Sequence, residues 1–258
     1  HFWVCDVYEG ALINITAFFS IIPKAVIFCL LFKFLSLAFL THSPISSILM
    51  TFSGMLSVFI SSVAALYQKK TKRLLAYSAV GHVGFILLAF SYGNFDSVKS
   101  ALIYIVIYMI TSLGLFSLLI GFSSYGFLFK YLVTWSFIKK WNIIISLFLA
   151  ILLFSAAGIP PLAGFYSKFN VLMLLVSEER IVLALLLVIL SCVSCFFYIR
   201  LIKVLFFNLF ANNIFFNRIF SNGFELPLVI SSFFTIFFLI KPESLNNLFS
   251  YVTLFFIF

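Results

Sequence analysis

Gly158-Ile159-Pro160-Pro161-Leu162-Ala163-Gly164 interrupts an apolar run that extends from Trp141 to Val176. One continuous helix over that run would be about 54 Å long, well beyond the ~30 Å of bilayer hydrocarbon. The two prolines remove backbone donors, and the glycines free the chain on either side. Two half-helices joined by an unwound stretch, with Pro160 and Pro161 in the break, satisfy both facts. Irregular backbone at membrane depth is tolerated where it lines a polar or hydrated cavity. Lys168 follows four residues after Gly164, on the second half-helix. The plainer alternative is a proline kink with a lysine that snorkels to the interface.

The rest of the chain supports a membrane setting. Of its 258 residues 64% are hydrophobic and 9% charged, against about 45–50% and about 25% in a soluble domain. Such a chain cannot cover a surface in water. Its apolar runs are continuous, as in Ala101 to Ile120, which excludes the alternation of a membrane barrel and selects helices. The expected fold is an all-α polytopic bundle of about seven spans, one of them discontinuous. The spans are read near 15–40, 47–66, 74–91, 99–121, 141–176, 181–207 and 225–240. The apolar segment 248–258 is too short to cross and is expected in the interface or against a neighbour. The domain reading is a loop over 1–14, two spans over 15–66, a unit over 67–207 that holds the broken helix, and a terminal span and tail over 208–258.

The net charge of +9 would point to nucleic acid in a soluble protein. Here it resides in alternate loops, and no nucleic-acid partner is expected. One set of loops carries Lys69, Lys70, Lys72 and Arg73, then Lys130, Lys139 and Lys140, then Arg218, with Arg200 and Lys203 placed to snorkel toward the last. The other set carries Asp96 and Lys99, then Glu178, Glu179 and Arg180, then Lys241 and Glu243. The positive-inside rule assigns the basic side to the matrix or cytoplasm. The 38 phenylalanines fit an AT-rich organellar genome, since Phe, Ile, Asn and Lys share A/T codons. Cys192 and Cys195 have redox or metal spacing, but in an apolar span they read as small packing residues; no metal site is expected.

Ionisable groups at membrane depth are functional candidates. Lys24 lies ~14 Å into its span, too deep for easy snorkelling. Lys33, on the opposite face and nearer the interface, reads as a snorkelling lysine. His82, flanked by Gly81 and Gly84, can take up and release protons near neutral pH. Tyr104, Tyr108, Thr111 and Ser112 share one helical face. Their hydroxyls suit either a proton wire or interhelical packing.

Four stretches carry a family resemblance: His1-Phe2-Trp3-Val4-Cys5-Asp6-Val7-Tyr8-Glu9-Gly10 with Pro23-Lys24; Lys72-Arg73-Leu74-Leu75-Ala76-Tyr77-Ser78 with Gly81-His82-Val83-Gly84; Gly158 through Phe169; and Phe197-Tyr198-Ile199-Arg200-Leu201-Ile202-Lys203. In order and spacing they resemble the antiporter-like subunits of NADH:ubiquinone oxidoreductase (respiratory complex I), the chain 2 branch in particular and its mitochondrial form. The resemblance implies a subunit that carries protons in the inner mitochondrial membrane. Lys24 would be the central lysine, His82 a bridge and Lys168 the outlet lysine, with His1 matching a histidine just after the first broken helix. It implies no cofactor on this chain; NADH, FMN, iron–sulfur clusters and ubiquinone would belong to other subunits. Partners would be the other membrane-arm subunits and lipids such as cardiolipin. The first half-channel of the family is not found here. The chain opens on His1 rather than Met, and a separate or divided polypeptide is expected to supply the upstream spans. A sodium/proton antiporter subunit and a non-conducting scaffold are the rival readings.

Overall fold

The structure, a computed structural model, describes residues 2–38, 44–124, 130–207 and 223–257. The elements among them are helices, as backbone groups in lipid require. In chain order they are α1 (Phe2–Gly10), α2 (Ile13–Ala38), α3 (Pro44–Tyr67), α4 (Thr71–Phe90), α5 (Phe95–Ser124), α6 (Ser136–Trp141), α7 (Ile143–Ala157), α8 (Ala163–Ser177), α9 (Ile181–Phe207), α10 (Glu225–Phe237) and α11 (Pro242–Ile257). Helices α2 to α5 and α9 are each long and apolar enough to cross a bilayer alone. Helix α5 is the hub and packs against α2, α4, α7, α8, α10 and α11. The α3–α4 pair is close because α4 carries Gly84 there: a Cβ would stand 2.6 Å from Val58 and 2.8 Å from the Gly54 carbonyl oxygen.

The discontinuous span is present as α7 and α8, 15 residues each, or about 22 Å apiece. The break falls after Ala157. Gly158 takes the left-handed conformation (φ 84°, ψ 39°). Its N–H reaches the Ser155 carbonyl at 3.0 Å, and the Ile159 N–H reaches that of Phe154 at 3.1 Å. This is a Schellman cap, which pairs carbonyls that a helix end would otherwise strand.

Three features differ from the sequence reading. Residues 1–14 were expected to be a loop, yet 2–10 form helix α1. Cys5 and Tyr8, one turn apart, are buried, while Asp6 and Glu9 meet the start of α4: Arg73 bonds Asp6 at 2.9 Å, and both Lys70 and Arg73 pair with Glu9. The expected last span, 225–240, is only partly regular. Helix α10 has 13 residues, about 20 Å, and beyond a 3-10 turn the chain bends by 97° into α11. Pro242 has no N–H with which to prolong α10. Helix α11, which includes the described part of the tail, packs on the chain's own α5 and α2, and at its start Asn246 Nδ2 donates to Tyr166 Oη at 2.6 Å. Third, Arg200 does not simply reach for water. It donates to the carbonyls of Leu66 at 2.6 Å and Gln68 at 2.8 Å, at the C-terminal end of α3.

These contacts also gather the loops by charge. The 69–71 and 130–132 strands of loop exchange backbone bonds of 3.0 Å, and Lys139 donates to the Phe206 carbonyl at 2.9 Å. The basic segments thus meet at one end. Asn94 and Glu178, from the other set of loops, bond at 2.7 Å. Arg218 lies outside the described residues, and Lys33 is exposed.

The Glu9 pairing makes α1 sensitive to acid. The Lys70 hydrogen bond, with Arg73 beside it, holds the Glu9 carboxyl below its ordinary range. A lowered carboxylate contributes stability above its unfolded pKa of about 4.3 and loses it as pH falls through the folded value. Amide exchange in α1, corrected for intrinsic rates, is expected to be flat from about pH 8 to about pH 5 and to rise below about pH 4. Glu9→Gln should loosen α1 already at neutral pH and flatten the profile.

Candidate proton-relay site

The site begins at the helix break. Lys168 stands one turn into α8 and is 8% exposed. Its Nζ donates to the carbonyl of Ala157, the last residue of α7, at 2.7 Å. The ammonium therefore sits at the negative end of a half-helix, where a cation is favoured. It also lies 5.7 Å from the centre of the Phe85 ring, in cation–π range. Gly158 is needed twice here, for its left-handed torsions and because a Cβ would come within 2.7 Å of Lys168 Cδ. Pro160 and Pro161 occupy the unwound stretch between α7 and α8.

His82 projects from the middle of α4 between two tyrosines. Its Nδ1 is 2.9 Å from Tyr104 Oη on α5, and its Nε2 is 3.2 Å from Tyr198 Oη on α9. A neutral imidazole has one donor and one acceptor nitrogen, so one tyrosine donates while the other accepts. Its ring also lies 5.2 Å from that of Tyr108. Tyr108 in turn meets Lys24: Nζ donates to Tyr108 Oη at 2.9 Å, and that hydroxyl donates to the Ser20 carbonyl at 3.2 Å. Tyr8 of α1 stands over the same ammonium at 6.0 Å. Its hydroxyl is buried without a hydrogen-bond partner among the described residues. A cavity of ≈ 20 Å³ is lined by His82, Lys168, Tyr198, Ser194 and Ser78, among others. That volume holds about one water molecule.

Lys24, His82, Lys168, Tyr104 and Tyr108 are thus brought together on α2, α4, α5 and α8. Thr111 and Ser112 are not: each hydroxyl bonds its own helix, to the carbonyls of Tyr108 and Met109 at 3.0 Å. His1 lies outside the described residues. Tyr198, Tyr8 and Ser20 were missed as site residues. Tyr198 stood within a motif already quoted, and a tyrosine deep in an apolar span was the signal available. Cys195 packs partly into the core while Cys192 is exposed. Among the described residues no three His, Cys, Asp or Glu side chains converge.

Residues 1–194 match the family described as NADH:quinone oxidoreductase/Mrp antiporter, TM. The chain is 37% identical to the NADH-ubiquinone oxidoreductase chain 2 of Marchantia polymorpha, over 95% of its own length and 49% of the relative's. It is 38% identical to the NADH-quinone oxidoreductase subunit N of Wolbachia sp. subsp. Brugia malayi, over 98% and 53%. It therefore spans about half the length of the curated relatives it matches. Among solved structures, a chain of respiratory complex I from Thermus thermophilus superposes with a TM-score of 0.78 at 24% identity, covering 96% of this chain and 54% of that one. A chain of the Mrp complex from Dietzia sp. DQ12-45-1b gives 0.85 at 17% identity, covering 100% and 56%. At those identities the likeness is one of fold.

Gly158→Ala is expected to cost about 1–2 kcal/mol from the left-handed torsion alone and to push Lys168 off the Ala157 carbonyl. Denaturant unfolding of the purified chain in detergent measures it; unchanged stability would contradict the described cap.

Proposed function

We propose a function from one premise: the chain belongs to the NADH:quinone oxidoreductase/Mrp antiporter membrane family. It is part of a proton-carrying subunit of respiratory NADH:ubiquinone oxidoreductase, in the mitochondrial inner membrane. Electron transfer belongs to other subunits, which bind NADH, FMN, iron–sulfur clusters and ubiquinone. This chain moves protons in response. The mitochondrial assignment draws on the phenylalanine-rich composition and on relatives named chain 2.

The observation that carries the reading is the line of polar side chains Lys24, Tyr108, His82 and Lys168 through otherwise apolar helices. Ionisable groups at membrane depth are expensive, which makes them candidates for moving ions. A change of charge at one member is felt strongly by the next, because little water screens it. Protons enter from the basic, matrix end toward Lys24, beside the Tyr8 ring. They pass His82 and leave from Lys168 toward the opposite side. Neighbouring membrane-arm subunits and cardiolipin are the partners. The family description covers antiporter and oxidoreductase members alike; the oxidoreductase reading is favoured because relatives above 30% identity are named as NADH oxidoreductase chains.

In the assembled membrane complex, Lys24→Ala and Lys168→Ala should each lower proton-coupled turnover at least about tenfold, a barrier increase of about 1.4 kcal/mol. Lys168→Arg should fail similarly, since a guanidinium keeps the charge but does not release its proton. In a scaffold the three changes could lower assembly, but the complex that does assemble would keep its full proton-to-electron ratio. Full rate and full proton-to-electron ratio in both alanine variants would exclude the relay.

A further inference from the structure

The relay as described leaves a gap between His82 and Lys168, and one side chain is placed to fill it. Resting on the relay reading above, we propose that the Tyr198 hydroxyl passes the proton between His82 and Lys168, and that Arg200 is the positioning residue that holds Tyr198 at the required depth.

His82 has two hydroxyl neighbours, but they are not equivalent. Tyr104, on Nδ1, stacks its ring on Phe85 at 5.8 Å and does not line the cavity that Lys168 reaches. Tyr198, on Nε2, lines that cavity together with Lys168. Lys168 gives one N–H to the Ala157 carbonyl and lines the cavity; when neutral, its amine also has a lone pair that can accept a proton. The space accepts about one water. A complete transfer then has three concerted parts. The imidazolium Nε2–H proton goes to Tyr198 Oη as the tyrosine gives its own proton to the cavity water. That water gives a proton to the neutral Lys168 amine. Three bonds to hydrogen break and three form; imidazole and ammonium are the products, and tyrosine and water end as they began.

The depth of Tyr198 along α9 is set two residues further on. Arg200 donates to the carbonyls of Leu66 and Gln68, which ties α9 to the end of α3. These are helix-terminal carbonyls, and a planar guanidinium can serve several at once. A slip of α9 by one residue would move Tyr198 by about 1.5 Å, enough to part a 3.2 Å contact.

The test measures turnover and proton uptake of the assembled complex in proteoliposomes, in H₂O and D₂O. Tyr198→Phe keeps the ring and removes the hydroxyl. It is expected to assemble and to slow proton-coupled turnover at least about tenfold, as loss of an acid–base group does. Arg200→Ala should slow it less, with partial rescue in Arg200→Lys and a changed solvent isotope effect that a loss of assembly alone would not produce. Full rate in Tyr198→Phe beside an impaired Lys168→Ala overturns the Tyr198 assignment and leaves the relay standing. Full rate in both overturns the two together. If Tyr198→Phe does not assemble, Ser194→Val tests the same step by filling the cavity from α9: slowing supports the route, and full rate overturns it.

Discussion

A helix that stops inside a bilayer strands the carbonyls of its last turn, and water is not there to take them. The end of α7 shows how this chain meets that constraint. Gly158 and Ile159 turn their N–H groups back onto Ser155 and Phe154, and the Lys168 ammonium takes the carbonyl of Ala157. The break needs the lysine to complete its hydrogen bonding, and the lysine needs the break to find a negative pole in hydrocarbon. The left-handed Gly158 and the position of Lys168 both serve this one helix end.

The same solution recurs. Lys24 acts through the Tyr108 hydroxyl, which ends on the Ser20 carbonyl. Arg200 ends on the carbonyls of Leu66 and Gln68. Lys168 and Arg200 end on backbone oxygen directly and Lys24 reaches it through a phenol, and none of these contacts involves a carboxylate. The difference matters for ion movement. A lysine locked to a carboxylate leaves a bare buried anion when it deprotonates, at a cost of several kcal/mol. A lysine bound to a carbonyl dipole can give up its proton and leave a neutral pair. Carbonyl partners therefore suit a site whose charge must change.

Much of this was legible in the sequence, for physical reasons that can be named. The break could be read because proline and glycine act on the backbone where they stand, and α7 and α8 end and begin within a residue or two of the expected 158–164 interval. Spans and loop alternation could be read because bilayer thickness and charge act on local composition. Lys24, His82 and Lys168 stood out as ionisable groups in apolar runs. What could not be read depends on partners distant in sequence. Tyr198 becomes a site residue only because α9 brings it to His82, 116 positions away. Arg200 looked like a snorkelling residue until the end of α3 supplied its acceptors. The helix over 2–10 was hidden because its support is an ion-pair cluster with Lys70 and Arg73 rather than a long apolar period. Thr111 and Ser112 shared the right face of α5, but a short hydroxyl side chain in a helix can be satisfied by its own i−3 carbonyl.

In the proposed relay, buried and half-buried basic and phenolic side chains form one hydrated line between Lys24 and Lys168. An experimental map of the assembled complex in lipid, at a resolution that shows ordered water, addresses it most directly. The account predicts Lys24 on Tyr108, His82 between Tyr104 and Tyr198, and a water in the cavity beside Lys168. Lysine side chains turned toward the headgroups, with dry apolar packing between them, would contradict it.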